Sequence, residues 1–281
     1  MTIQTAGFLS LLFMAICLPS LSFSSPQGKF QAADWAVLHS SRNDQRHVSS
    51  RGVVQTMLEN IQPSCAFSPD MRPEDFPAWQ KKVREAMEKL MKFPLHDNLP
   101  APVLVKTVQR EHYRVEKWEA YPLPGAAVPF LVLVPDTASE KNPVPVLFCI
   151  PGSDQTKEEL AAETSPDLAQ PPVPQPGSNA MACHYVKQGW AAVVVDNAGT
   201  GEEGDAEHAA GRSSHDYENL ARSLLEMDWS WLGYTSYMDQ CVLDWVKTRP
   251  WVQKNRIILS GFSLGTEPMM VLGVLNPDIF A

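Results

Sequence analysis

The stretch Arg256-Ile257-Ile258-Leu259-Ser260-Gly261-Phe262-Ser263-Leu264-Gly265-Thr266-Glu267 decides the architecture of this chain. Arg256 to Ser260 is largely apolar and predicts a short buried strand. Gly261 and Gly265, two residues either side of Ser263, allow a sharp turn that raises the serine above the strand end. Thr266 to Leu275 then predicts a helix packed under the sheet. Pro268 fits its first turn, where backbone N–H groups lack intrahelical partners.

Working outward, Phe30 to Pro100 reads as helical and polar, with clear segments at Arg51 to Ile61 and Phe76 to Phe93. In the second, Trp79, Val83, Met87, Leu90 and Met91 recur at helical spacing and predict a face packed on the main domain. Val103 to Arg110, His112 to Tyr121 and Val128 to Pro135, separated by tight turns, predict an antiparallel entry to a larger sheet. Val144 to Ile150, Ala191 to Val195 and Arg256 to Ser260 are buried-strand runs, with helical patterns at Ala180 to Gln188 and Tyr237 to Thr248 between them. That alternation predicts an α/β fold with a mostly parallel central sheet. Thr164 to Asn179, with five prolines, predicts a surface loop.

The 281 residues, 44% hydrophobic, suffice for one α/β domain and an N-terminal appendage. A formal net charge of -9, from 23 basic and 32 acidic side chains, argues against a nucleic-acid partner. Residues 1–24 read as a signal peptide: Ala6 to Leu21 is almost wholly apolar, and Ser22-Phe23-Ser24 offers a cleavage site. The expectation is therefore export to the periplasm or beyond, with no stable membrane insertion after signal removal. Residues 25–100 then form a helical extension and 101–281 the main domain. Cys65, Cys149, Cys183 and Cys241 have irregular spacing, without a C-x-x-C pair, and read as free thiols rather than metal ligands or disulfides.

The strand, serine turn and helix resemble the nucleophile elbow of an α/β-hydrolase. That resemblance implies Ser263 as nucleophile, with the backbone N–H of Leu264 and one from Gly152 or Ser153, in the turn after the Val144 strand, as oxyanion donors. The glycines of Val195-Asp196-Asn197-Ala198-Gly199-Thr200-Gly201 lack the spacing and lysine of a phosphate loop and read as a structural turn. Trp229, Trp231 and Tyr234 read as core rather than a sugar platform.

In this fold an acid and then a histidine follow the serine. Leu264 to Ala281 contains Glu267 and Asp278 but no histidine, and all seven histidines (His39, His47, His96, His112, His184, His208, His215) precede Ser263. The expectation is a chain lacking its C-terminal strands and helices, with the catalytic acid and histidine outside it. His208 or His215 could serve only in an unusual order.

Trp229-Ser230-Trp231-Leu232-Gly233-Tyr234-Thr235-Ser236-Tyr237, Asp244-Trp245 and Gly261 to Met270 resemble the acetylxylan-esterase-like α/β-hydrolases, related to dienelactone hydrolases, that Bacteroidetes export to process plant polysaccharides. The likeness extends through Asp196-Asn197 and Pro151-Gly152-Ser153 to the N-terminal helices. It implies a serine esterase acting on a small-molecule or polysaccharide ester, with no metal or organic cofactor. Two rivals stay open: a carbohydrate-binding or scaffold relic of the fold, and a serine peptidase.

Overall fold

The computed structural model describes residues 40–42, 44, 46–95, 98–153, 155–169, 179–204 and 217–281. The proposed signal peptide, Cys17, His39, His96, His208, His215 and the proline-rich 170–178 lie outside the described residues. The described residues divide at Ser64 into an N-terminal unit and a main unit, Cys65–Ala281. In the first, helix α1 (Ser50–Asn60) is capped by Ser49, whose side chain accepts from the Gly52 N–H.

The main unit opens with helix α2 (Phe76–Met91), stopped by Lys92 in the left-handed conformation at φ 53°. Six strands follow with their helices: β1 (Val103–Gln109), β2 (Tyr113–Ala120), β3 (Val128–Pro135), β4 (Val144–Ile150), α3 (Lys157–Ala161), α4 (Met181–Val186), β5 (Ala191–Val194), α5 (Tyr217–Glu226), α6 (Trp231–Lys247), β6 (Val252–Gly261) and α7 (Thr266–Leu275). They form one sheet in the order β1-β2-β3-β5-β4-β6. The β1–β2, β2–β3 and β3–β5 pairs are antiparallel, and β4–β5 and β4–β6 are parallel. Four strands, β2, β4, β5 and β6, thus share one direction, with β1 and β3 opposed. The antiparallel entry and the parallel half expected from the sequence are both present.

The continuous apolar runs are buried because the sheet is covered on both faces. Alternate residues point to opposite sides, so Phe130, Val132 and Phe148 pack with Tyr237, Leu243 and Leu272 of α6 and α7. Leu131, Leu133 and Leu147 pack with Leu160, Ala182 and Val186 of α3 and α4. Helix α2 docks through part of the face its periodicity predicts, with Met91 buried and Trp79, Val83 and Met87 half-buried, whereas Leu90 is exposed. Arg84 Nε donates to the Val274 carbonyl at 3.2 Å, and Trp229 Nε1 to that of Met91 at 2.8 Å. Gly233 is required at this crossing, since a Cβ there would stand 2.5 Å from the Met91 oxygen. Among the described residues Cys149, Cys183 and Cys241 are free thiols. Among the described residues no helix is long and apolar enough to cross a membrane.

Three differences from the sequence reading have local causes. Helix α6 begins at Trp231 rather than Tyr237, because Ser230 caps it by accepting from the Gly233 N–H at 2.9 Å. Helix α5, absent from the sequence reading, is a short amphipathic helix of ten residues with Tyr217, Leu220 and Leu224 at helical spacing, of which Leu224 is buried. The expected surface loop from Thr164 buries Leu168 to 1% exposure. Arg110 pairs with Glu163, Lys106 reaches the Asp167 carbonyl and Lys117 that of Pro166, and together they hold this segment on the sheet.

Phe148, on β4, is fully buried in the core cluster that α6 and α7 cover. Replacing it with alanine should lower the unfolding free energy by about 3–5 kcal/mol in urea denaturation, because its packing on α6 is lost and the cavity cannot fully close.

Candidate active site

Strands β4 and β6 are parallel neighbours in the register Cys149↔Ser260 and Ile150↔Gly261. Their chains therefore leave the sheet side by side. After Gly261 the chain turns through a short 3-10 segment, Ser263–Gly265, into α7. Ser263 sits at φ 49°, a left-handed conformation costly for a residue with a Cβ, and it is exposed. Three hydrogen bonds hold the turn: Phe262 N–H to the Ile150 carbonyl (3.2 Å), Gly265 N–H to Phe262 (2.9 Å), and the Thr266 hydroxyl to the Ser263 carbonyl (2.7 Å).

Both flanking glycines are sterically required. A Cβ on Gly261 would lie 2.6 Å from the Gly265 carbonyl carbon, and one on Gly265 would lie 2.5 Å from the Pro151 oxygen. From the other side, a Cβ on Gly152 would meet the Phe262 ring at 2.9 Å and the Ser263 Cβ at 3.3 Å. The fold thus brings Gly152 and Ser263 together, with Ser153 and Leu264 beside them. Leu264 is the second residue of a helical segment, where backbone N–H groups point outward without intrahelical partners.

The loop after β5 braces this arrangement. Asn197 Nδ2 donates to the Pro151 carbonyl at 2.7 Å. Asp196 accepts from the Lys157 backbone N–H and from its Nζ, each at 2.7 Å. Lys157, fully buried, also pairs with Glu158 (2.9 Å) and Glu202 (2.7 Å), and Glu202 pairs in turn with Lys117. Gly199 and Gly201 adopt φ of 86° and 54°, and Gly201 passes so close over the Asp196 carboxylate that a Cβ would stand 2.6 Å from its carbon. These glycines are the structural turn expected from the sequence. Trp231 Nε1 donates to the Ala198 carbonyl at 3.0 Å and its ring stacks edgewise on Tyr217, so the aromatic cluster serves as support. Lysine ordinarily reads as a surface residue, and nothing in the sequence marks Lys157 as buried.

Burial works against the Lys157 charge, yet Asp196, Glu158 and Glu202 outweigh it and raise its pKa. Burial raises the Asp196 carboxyl, and Lys157 pulls it back. Burial and then the Asp196 charge push Glu203 up to about 8. Asp239, 1% exposed, lies well above the usual carboxylate range through burial and the nearby Glu203 and Asp196 charges.

Among the described residues no histidine bonds to Ser263. His112 lies just before β2, at the opposite end of the sheet from the turn, and His184 of α4 pairs with Gln188 beyond it. Of the two acids after the serine, Glu267 is exposed and Asp278 pairs with Lys247 at 2.9 Å.

This sheet order, with a strained serine turn where a parallel strand meets a helix, defines an α/β-hydrolase fold. Residues 29–281 match the Abhydrolase family, and the chain belongs to it. It is similar to a crystal structure of a proposed acetyl xylan esterase from Bacteroides fragilis, with 48% identity over 88% of this chain and a TM-score of 0.74. The chain spans 63% of that protein. A methylesterase is 18% identical over 71% of this chain and 38% of its own, with a TM-score of 0.47. A glucuronoyl esterase from Solibacter usitatus is 12% identical over 72% of this chain and 57% of its own, with a TM-score of 0.48. These two distant likenesses add nothing to the assignment. Among curated proteins none matches the chain.

Two outcomes follow from this geometry. Gly265→Ala should displace the β4 loop or the turn, lowering the melting temperature by several degrees, about 1–3 kcal/mol of overpacking. For Glu203, the folded pKa of about 8 lies above the ordinary 4.5, so the folded state holds a proton that the unfolded chain has lost. Stability is thus full below about 4.5 and falls as pH rises towards about 8. Glu203→Gln should weaken that slope and raise stability at pH 8 by about 1–3 kcal/mol relative to its effect at pH 5, read by urea denaturation at both pH values.

Proposed function

We propose that this protein is an exported serine esterase that removes acyl groups, acetyl groups first among them, from plant polysaccharide. The single observation that carries the reading is the exposed Ser263, held at φ 49° with Gly152 packed against it. A strained conformation of this kind persists only when the surroundings enforce it, and here two glycines and two neighbouring strand ends do so. The Bacteroides fragilis relative supports the ester class and the acetyl group. The apolar run from Ala6 to Leu21 supports export.

In the proposed reaction the Ser263 oxygen adds to the ester carbonyl carbon while its proton passes to a histidine. The carbonyl oxygen becomes an oxyanion, received by the N–H of Leu264 and by one from Gly152 or Ser153. Each such donor lowers the barrier by about 3 kcal/mol. The tetrahedral intermediate collapses, and the sugar hydroxyl leaves with the proton from the histidine. Water then adds to the acyl-serine, gives its proton to the same base, and releases the carboxylic acid with Ser263 restored. In this reading the histidine and its acid come from outside the described residues. Backbone N–H groups, unlike side-chain donors, cost no ordering when the charge develops, because the strands hold them in place beforehand.

Ser263→Ala, in the protein at its natural length, should reduce turnover of p-nitrophenyl acetate by at least about 1,000-fold while keeping the circular dichroism spectrum and melting temperature of the parent. Unchanged turnover in a folded Ser263→Ala protein would exclude Ser263 as the nucleophile.

A further inference from the structure

The geometry points to Asn197 as a positioning residue that aims the Gly152 N–H at the reacting carbonyl. This rests on the esterase reading of Ser263 and deepens it by separating the two candidate donors of the β4 loop. The Pro151 carbonyl and the Gly152 N–H belong to one planar trans peptide, in which they point in opposite directions. Whatever holds the carbonyl therefore aims the N–H. Asn197 Nδ2 holds it, at 2.7 Å and fully buried. A carbonyl oxygen can only accept, so the amide must present its nitrogen there.

Asn197 is itself immobilised. Its main-chain carbonyl accepts from the Thr200 hydroxyl at 2.7 Å and from the Thr200 N–H at 3.0 Å. The next residue, Ala198, donates its N–H to the Thr235 hydroxyl and accepts from Trp231 Nε1, both on α6. The brace thus runs from the first turns of α6 through Asn197 to the Pro151–Gly152 peptide, where a Cβ built on Gly152 would stand 3.3 Å from the Ser263 Cβ. The other end of the loop is fastened separately by Asp196 on the Lys157 N–H. Loss of Asn197 therefore frees one peptide to rotate without releasing the whole loop. Aspartate cannot substitute, because a carboxylate would set a negative oxygen against the Pro151 carbonyl.

The test uses Asn197→Ala and Asn197→Asp in the protein at its natural length, with kcat expressed per site titrated by a fluorophosphonate, so that misfolded molecules do not count. Both variants should lose about 10- to 100-fold in kcat per site, with KM within about 3-fold. Affinity for a trifluoromethyl ketone, which adds the serine oxygen and forms an oxyanion, should fall by the same factor as kcat. A purely structural role would lower the titrated fraction and leave kcat per site alone, and that result overturns the inference. Should neither variant fold, a crystal structure of the parent with the ketone bound decides: the oxyanion on Gly152 N–H, with Pro151 still held by Asn197, supports the assignment, and an oxyanion on other donors overturns it. If Ser263→Ala keeps full turnover, the esterase reading fails. If it is inactive while Asn197→Ala keeps its kcat per site, the positioning role alone fails.

Discussion

Gly265 lies against the carbonyls of Ile150 and Pro151 with no room for a Cβ, the Pro151 oxygen standing 2.5 Å from where one would be. This contact lets the end of β6 and the end of β4 close upon each other. It follows from the parallel register of the two strands, which delivers Ile150 and Gly261 to the same level. Once the chains leave the sheet side by side, the turn after β6 has only one way to reach α7. It must fold back over the β4 exit, and Ser263 takes up the left-handed conformation. The strain, of order 1–3 kcal/mol at such a residue, is supported by packing of two strands and a helix that are buried for other reasons.

The bracing of the β4 loop sets a second constraint. A buried ammonium costs several kcal/mol unless it is paired and hydrogen-bonded. Lys157 meets that condition through Asp196, Glu158 and Glu202, and Lys117 balances Glu202 from outside. Glu203 and Asp239, which have no ion-pair partner among the described residues, respond in the other way, by moving their pKa upward so that the neutral form is kept. The region under the turn thus combines one fully solvated-by-protein cation with carboxyls that prefer to be protonated.

The architecture was largely legible in the chain itself. Strands β3, β4 and β5 announce themselves as apolar runs, since strands covered on both faces need no polar residue. The Gly261-x-Ser263-x-Gly265 pattern announced the turn, because only residues without side chains fit beside it. Even the support role of Trp229, Trp231 and Tyr234 followed from where they stood. Apart from helices α3 and α5 and the burial of Leu168, what escaped was polar: the burial of Lys157, the bond of Asn197 to Pro151, and the hold of Arg110 on Glu163. Each joins residues between 39 and 53 positions apart, and long-range polar pairs leave no periodicity.

The sequence by itself determined the six strands and the helices other than α3 and α5, where the sharp turn falls, and that a serine stands at its tip. These are local consequences of side-chain size, hydrophobic period and backbone freedom. The tertiary structure alone decided which main-chain groups face that serine. Sheet order and register, set by the summed packing of six strands, place Gly152 beside Ser263, and the brace from α6 through Asn197 sets the direction of its peptide. A backbone N–H is the same in every residue but proline, so its aim is written only in the fold.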